Sequence, residues 1–188
     1  MKLFFLSLLM VLLIFIVGCS PELMDSAEME EKAELVEEQI ESELLEVDAC
    51  PDWKCENLTD VISGEEFNIE EFAGQTILLE SFAVWCPTCL KQQKEMKKVE
   101  GVIHVSIDTD PNEDEILVKD HAIENELDWY FAVSPVEVTK ALIEDFGVGV
   151  VSAPSAPVIL ICPDQSSQLL ERGFKSANEL NEAITNLC

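Results

Sequence analysis

Two cysteines, Cys86 and Cys89, stand three positions apart directly behind the apolar run of residues 76–84. A strand that delivers two thiols to the first turn of a helix suits a dithiol/disulfide couple, because one thiol ionises while the other waits within reach. The same pair could form half of a zinc site, but His104 and His121 supply no second ligand pair at the required spacing. An inert structural disulfide is the other alternative. The spacing favours redox chemistry.

The two thiols are predicted to have different roles. The sequence predicts a helix over residues 87–99, with Cys86 at its N-terminus. Unpaired backbone N–H groups and the helix dipole stabilise a thiolate there, so we expect Cys86 to be exposed and to attack a substrate disulfide. Cys89, one turn further on, is expected to be less exposed and to attack the resulting mixed disulfide. Pro87 suits a first helical position, where its missing N–H has no partner to lose.

Residues 67–187 resemble the thioredoxin-like superfamily and, within it, the extracytoplasmic thiol-disulfide oxidoreductases of the TlpA/ResA type. The lead-in at 67–75, the strand that ends in the sequence WCPTC, and the segment 102–108 carry the resemblance. It implies an α/β fold of the thioredoxin type, with a central mixed β-sheet flanked by helices and preceded by an N-terminal extension. It also implies that the redox-active disulfide of Cys86 and Cys89 works without another cofactor and without a metal.

The resemblance also assigns site residues. It places Glu80 where thioredoxin holds a buried acid that exchanges a proton with the second cysteine, and burial would raise the pKa of such a carboxyl toward neutrality. The alternative is a glutamate on the solvated side of an imperfect strand. The family's cis-proline should precede the next core strand, where Pro154 and Pro157 are available. We favour Pro154, because residues 153–155 are similar to the family pattern of a small residue, proline and a hydroxyl residue. The residues expected to contact substrate are Trp85, Pro87, Thr88, Ala153, Pro154 and Pro157.

The dipeptide between the cysteines departs from the commonest version in the family. Many relatives carry proline just before the second cysteine, whereas this chain has Pro87 after the first cysteine and Thr88 before the second. That order is closer to the glutaredoxin or DsbA pattern. These residues tune the stability of the thiolate, and the potentials of such couples span roughly −270 to −120 mV. The sequence therefore leaves the redox direction open.

The N-terminus predicts export. Residues 1–18 read as a secretory signal, with an apolar stretch over 3–17 and the small residue Gly18 before the cysteine of a lipobox-like sequence. We expect Cys19 to be lipidated, to begin the mature chain, and to anchor it to the outer face of the cell membrane. An uncleaved anchor is the weaker alternative, because the apolar stretch is shorter than the roughly 20 residues that span a bilayer.

Residues 19–49 are predicted to be a tether between the membrane and a thioredoxin-like domain at 50–188. The segment is strongly acidic, and such a segment buries too little apolar surface to fold alone. Apolar residues recur in it at helical spacing, so a short amphipathic helix is an alternative. These residues are Val36, Ile40, Leu44 and Val47. The formal net charge of −27 for the whole chain excludes nucleic acid as a partner.

The other cysteines agree with an oxidising compartment, because six of the 7 remain when Cys19 is set aside, an even number. Cys50 and Cys55 could close a small local loop. Cys162, at the end of a core strand, and Cys188, at the end of the last helix, could also meet. A free buried Cys162 is the alternative, because thiols are readily buried without pairing.

The rest of the pattern predicts a single α/β domain. Strands are expected at 102–108, 129–133, 158–162 and 168–174, and helices at 113–125 and 136–145. Ser176 and Glu179 predict a capping box for a last helix whose apolar stripe covers the sheet. His104 and His121 are expected to be packing or surface residues.

These features predict a membrane-anchored thiol-disulfide oxidoreductase that exchanges disulfides with exported proteins. The resemblance implies a reductant, for instance in apocytochrome c maturation, that takes electrons from a membrane thiol donor of the CcdA/DsbD kind. A disulfide-forming oxidase is the alternative among enzymes. A lipoprotein that carries metal on Cys86 and Cys89 is the alternative from another class, and the lack of a well-placed third ligand disfavours it.

Overall fold

The computed structural model describes residues 52–188. The predicted signal peptide, the lipidation site Cys19, the acidic tether and Cys50 lie outside the described residues. Within 52–188, no helix has the length and apolar character needed to cross a membrane.

Two sheets are present in the described part of the chain. A small antiparallel hairpin consists of β1 (Leu58–Thr59) and β2 (Glu66–Phe67). The strands of the central sheet are β3 (Ile77–Phe82), β4 (Ile103–Asp108), β5 (Tyr130–Val133), β6 (Val158–Ile161) and β7 (Ser167–Leu169). They lie in the order β5-β4-β3-β6-β7, with β3, β4 and β5 parallel and with β6 and β7 each antiparallel to its neighbour. The predicted mixed sheet is confirmed.

Four α-helices accompany this sheet within residues 52–188. They are α1 (Pro87–Met96), α2 (Glu115–Glu124), α3 (Val136–Phe146) and α4 (Ala177–Leu187). The predicted capping box is present at the start of α4, where Ser176 accepts from the Glu179 N–H and the Glu179 carboxylate accepts from the Ser176 N–H. At the start of α2, the Asp114 carboxylate accepts from the Leu117 N–H at 2.9 Å. Local capping therefore fixes where both helices begin.

Alternate residues of β3 face opposite sides of the sheet. On one side, Ile77 and Leu79 belong to a buried cluster that includes residues of α3. On the other side, Leu78 packs with residues of α1 and α4, and Phe82 packs with residues of α2. Glu80 lies between Leu78 and Phe82 along β3, so its side chain points to the side that carries α1, α2 and α4. This register places a carboxyl beneath the helix that begins with the dithiol.

Two parts of the fold differ from the prediction. β7 ends at Leu169, although the sequence predicted a strand to 174, because its partner β6 begins at Val158, whose carbonyl accepts the Leu170 N–H at 2.9 Å, and no residue of β6 remains to pair with the chain beyond that point. The hairpin of β1 and β2 was not predicted, because its strands are only two residues long. It is fixed by tertiary contacts: the Val61 N–H donates to the Phe131 carbonyl at 2.8 Å, and an Asp60 carboxylate oxygen accepts from the Phe131 N–H at 3.1 Å.

The structure joins Cys162 to Cys188 by a disulfide, with a Cα–Cα distance of 5.3 Å. Ile161 pairs with Ile77 at the start of β3, whereas Cys86 follows the end of β3. This bridge therefore lies near the start of β3, at the opposite end of the strands from the dithiol. Cys55 is disulfide-bonded, and Cys50, its predicted partner, belongs to the segment that the structure does not describe.

Candidate active site

The dithiol lies where the chain passes from β3 to α1. Cys86 is the N-cap residue of α1, and its Sγ accepts a hydrogen bond from the Cys89 backbone N–H at 3.2 Å. Pro87 is in the first turn of the helix, as predicted, and Thr88 follows it. Both thiols are free in the structure. The Cys86 sulfur thus lies at a helix N-terminus, where backbone N–H groups stabilise a thiolate.

The prediction that Cys86 is exposed is wrong, because the residue is only 1 % exposed. Its side chain turns back over the first turn of α1 and belongs to a buried apolar cluster with Phe82, Ala83 and Ala153. A substrate sulfur therefore has to approach Cys86 from a surface groove beside this cluster, which Trp85 and Pro154 line.

Cys89 lies deeper in the same cluster and has no exposed surface. Its Sγ donates a hydrogen bond to the Ala153 carbonyl oxygen at 3.1 Å. Burial raises the pKa of the Cys89 thiol, and the negative charge of Glu80 raises this pKa further. Cys89 is consequently a neutral thiol at rest, and it needs a base before it can act as a nucleophile.

Glu80 is the candidate for this base, because its charge acts on Cys89. The residue is completely buried, and neither of its carboxylate oxygens has a hydrogen-bond partner among the described residues. Burial raises the pKa of Glu80 well above its ordinary value, while the Gln93 side chain and the Lys175 charge lower this pKa. The charge on Glu80 acts directly on Cys89, so the protonation states of the two groups depend on each other.

No peptide bond within residues 52–188 is cis, so the expectation of a cis-proline at Pro154 or Pro157 is wrong for this structure. The chain reverses direction by another means: a short 3-10 turn at Ala153–Ser155 is followed by Ala156 in the left-handed region, with φ 44°. Pro154 is exposed on the wall of the groove. Pro157 is buried instead, and its carbonyl accepts from the Ser81 N–H at 3.3 Å.

A surface groove of about 180 Å³ runs beside the dithiol. Its lining includes Trp85, which is 59 % exposed, and the segment that contains Ala153 and Pro154. Ala83, which packs with the buried thiols, also lines it. The structure therefore brings together most of the predicted site: the two cysteines, Glu80, Trp85, Ala153 and Pro154. Pro157 lies apart from the groove.

Two acidic residues, Glu113 and Asp110, hold the loop before the dithiol, and a third, Asp108, accepts the Asp110 N–H at 3.0 Å; none of the three was predicted. The Glu113 carboxylate accepts the N–H groups of Val84 and Trp85 at 2.6 and 3.3 Å. The Asp110 carboxylate accepts the Trp85 indole N–H at 2.6 Å, which lowers the pKa of Asp110. Burial, with the adjacent Glu113 charge, raises the pKa of Asp108 to about 7. The run of acids that follows β4 is the signal that would have revealed this clamp.

A buried lysine lies behind the dithiol helix and was also not predicted. The backbone of Lys175 exchanges two hydrogen bonds with the Gln92 side chain of α1, at 2.8 and 3.0 Å. The Lys175 ammonium donates to the carbonyl oxygens of Ala156 and Gly173. Burial lowers the pKa of Lys175, and the charge of Glu80 opposes that shift. The lysine therefore supplies a positive charge that acts on Glu80.

Among residues 52–188, no group of three or more histidine, cysteine or acidic side chains is arranged to hold a metal ion.

No family model and no curated protein sequence matches the chain. Solved structures do resemble it. A secreted disulfide oxidoreductase of Mycobacterium tuberculosis, homologous to E. coli DsbE, matches with a TM-score of 0.57 and 18 % identity over 74 % of this chain and 100 % of that chain. A thiol:disulfide interchange protein of the thioredoxin family from Chlorobium tepidum matches with a TM-score of 0.56 and 18 % identity over 69 % and 90 %. StoA from Bacillus subtilis matches with a TM-score of 0.51 and 20 % identity over 66 % and 92 %. The described part of this chain has the thioredoxin fold.

Proposed function

We propose that the chain is a thiol-disulfide oxidoreductase whose working couple is Cys86 and Cys89. The observation that carries the proposal is the convergence of three groups: a thiol at the N-terminus of α1, a second buried thiol one turn later, and a buried carboxyl whose charge acts on that second thiol. Similar solved structures support it, one described as a disulfide oxidoreductase and another as a thiol:disulfide interchange protein.

The first step is attack by the Cys86 thiolate on one sulfur of a substrate disulfide. A bond forms between the Cys86 Sγ and that sulfur, the substrate S–S bond breaks, and the other substrate sulfur leaves with the electron pair as a thiolate. The N-terminal N–H groups of α1 stabilise the attacking thiolate. The groove between Trp85 and Pro154 binds the substrate segment that carries the disulfide, with Pro87, Thr88 and Ala153 completing the contacts; Pro157 is buried and is not among them.

The second step resolves the mixed disulfide. Cys89 passes its proton to the Glu80 carboxylate, and the Cys89 sulfur then attacks the Cys86 Sγ. The Cys86–Cys89 disulfide forms, and the bond from Cys86 to the substrate breaks. The remaining substrate sulfur leaves as a thiolate. The substrate disulfide has then gained two electrons and the protein dithiol has lost two, so a further dithiol donor has to return the protein to its reduced form.

We further propose that this cycle takes place outside the cytoplasm on exported proteins. Signal-like residues 1–18 and the lipobox-like cysteine, Cys19, support export and anchoring by lipid. One similar structure belongs to a protein described as secreted. In this proposal the membrane-anchored enzyme is a reductant, as in apocytochrome c maturation, and a membrane thiol carrier of the CcdA/DsbD kind is the electron donor.

The dipeptide Pro87-Thr88 favours a second candidate, a disulfide-forming oxidase, because residues between the cysteines set the stability of the thiolate. A measured reduction potential of the Cys86/Cys89 couple separates the two. A potential near the thioredoxin value of about −270 mV supports the reductant, and one near about −120 mV supports the oxidase.

Turnover of insulin disulfides with dithiothreitol as donor tests the activity itself. Cys86→Ser should abolish turnover, because no thiol remains at the helix N-terminus. The matched control removes the other described pair, Cys162→Ser together with Cys188→Ser, and should retain turnover below its unfolding temperature. Activity that survives Cys86→Ser, or that is lost in the control while the control is folded, would argue against the proposed couple.

A further inference from the structure

Two buried polar side chains beneath the dithiol have no role in the steps above. Gln93 of α1 has no exposed surface, and His121 of α2 is only 6 % exposed. Both lie among apolar residues on the side of the sheet that Glu80 faces. Burial of polar groups is costly unless they are hydrogen-bonded, so this pair calls for a physical reason.

His121 fixes the orientation of the Gln93 amide. The distance from His121 Nε2 to Gln93 Oε1 is 2.8 Å, and because the amide oxygen accepts, the histidine carries its proton on Nε2. The imidazole is itself held by packing, with its ring centroid 5.5 Å from that of Phe82 and 6.4 Å from that of Phe131. The amide NH₂ of Gln93 is thereby directed away from His121.

The directed amide and Glu80 are complementary. Gln93 Nε2 has no hydrogen-bond acceptor among the described residues, and both Glu80 oxygens lack a donor. Gln93 lies four residues after Cys89 and therefore on the same face of α1, one turn further along the helix. A buried donor or acceptor without a partner is costly, most of all where a charge is involved, so ionised Glu80 and the Gln93 amide are both stabilised when they pair with each other.

We propose that Gln93, oriented by His121, is a positioning residue that donates a hydrogen bond to the Glu80 carboxylate and thereby sets the pH at which Glu80 accepts the proton of Cys89. This inference rests on the proposed function, because it assigns a partner to the proton acceptor of the resolving step. Gln93, together with His121, stabilises the charged form of Glu80. Without this stabilisation a fully buried carboxyl would stay protonated at neutral pH and could not accept the proton of Cys89.

The electrostatics of the site agree with this role. The Gln93 side chain lowers the pKa of Glu80, against the larger effect of burial, and Lys175 also lowers it. The charge of Glu80 in turn raises the pKa of Cys89. Burial lowers the pKa of His121, and the charges of Glu113 and Glu124 oppose that shift. A neutral His121 still donates from Nε2, so the orientation of Gln93 persists at neutral pH.

The test uses the full chain in detergent, with the Glu80 carboxyl carbon followed by ¹³C NMR and the resolving step followed in single turnovers from pH 6 to 9. Gln93→Met keeps the length of the side chain and removes the donor. It should move both the Glu80 titration and the midpoint of resolution to higher pH, with a loss of rate at pH 7 of up to about tenfold for each unit moved. His121→Phe should produce a smaller shift in the same direction. If Gln93→Met does not fold, the shift of both midpoints in His121→Phe tests the inference.

His104→Phe is the matched control. His104 is the other histidine of the described residues, and it is partly buried. Its ring centroid lies 5.4 Å from that of Trp129, and burial lowers the pKa of His104 as well. This variant should leave both midpoints unchanged. An unmoved Glu80 titration in Gln93→Met, or an equal shift in His104→Phe, would overturn the inference. Failure of the wild-type chain to form any mixed disulfide would instead overturn the proposed function. The two failures are distinguishable, because the NMR titration of Glu80 does not depend on turnover.

Discussion

Replacement of Glu80 by glutamine separates the proton transfer from the rest of the cycle. The substitution keeps the size of the side chain and removes the base, and general base catalysis contributes about 10²- to 10⁴-fold. The charge of Glu80 also raises the pKa of Cys89, so its loss makes Cys89 easier to ionise and offsets part of the defect. We therefore expect the lower end of the range: about 100-fold slower resolution at pH 7.

The assay is a stopped-flow single turnover with a fluorogenic disulfide peptide, which resolves attack from resolution. Attack by Cys86 should change little in Glu80→Gln, because that thiol does not depend on the base. The defect in resolution should shrink as pH rises above the Glu80 titration, because Cys89 then ionises increasingly without help. Glu66→Gln, which changes an exposed strand glutamate, is the control. Equal resolution rates in Glu80→Gln and wild type from pH 6 to 8 would refute the reasoning.

The same variant makes a prediction about stability. The pKa of Glu80 is raised in the folded protein, so the folded state binds this proton more tightly than the unfolded state. Stability contributed by the protonated group is present below the ordinary pKa of 4.5 and is lost as pH rises toward the folded value, at up to about 1.4 kcal/mol per unit. Glu80→Gln should therefore gain stability relative to wild type between pH 4.5 and 7 in urea unfolding. A constant difference across that range would contradict the buried, proton-binding carboxyl.

Three further predictions concern other parts of the chain. Removal of the Cys162–Cys188 bridge, which closes a separation of 26 residues, should lower the free energy of unfolding by about 3.5 kcal/mol in urea titrations, and an unchanged midpoint would argue against the bridge. Asp108→Asn should abolish a fall in stability between pH 3.8 and 7, because the raised pKa means that the folded state holds the Asp108 proton over that window; persistence of the fall would assign it elsewhere. Mass spectrometry of the native membrane fraction should find a mature N-terminus at lipid-modified Cys19 and no peptide from residues 3–17, whereas an intact segment 1–18 would favour an uncleaved anchor.

The parts of this fold that could be predicted are those that depend on residues close together in the sequence. The apolar run before Cys86 and the proline after it predicted a strand and a helix start, and Ser176 with Glu179 predicted the last helix, because caps and periodicity depend on neighbours in the chain. Glu80 could be located within an apolar strand for the same reason, and its burial followed from the register of that strand.

What could not be predicted depends on contacts between distant segments. Gln93 and His121 are 28 residues apart and meet only because α1 and α2 pack on the same face of the sheet. The burial of Cys86 results from a hydrogen bond within its own helix turn and from packing against the segment around Ala153. The backbone at Pro154 follows from the left-handed turn at Ala156, and alanine gives no sequence signal for such a conformation.

The central claim is that Cys86 attacks the substrate and Cys89 releases it, and covalent trapping tests this most directly. Incubation of reduced Cys89→Ser with a disulfide-bonded peptide, followed by non-reducing peptide mapping, should show a stable mixed disulfide on Cys86, because no second thiol remains to resolve it. Wild type should accumulate none, and Cys86→Ser should form none on Cys89. A peptide trapped on Cys89 in Cys86→Ser, or no adduct on Cys86 in Cys89→Ser, would contradict the assignment of the two thiols.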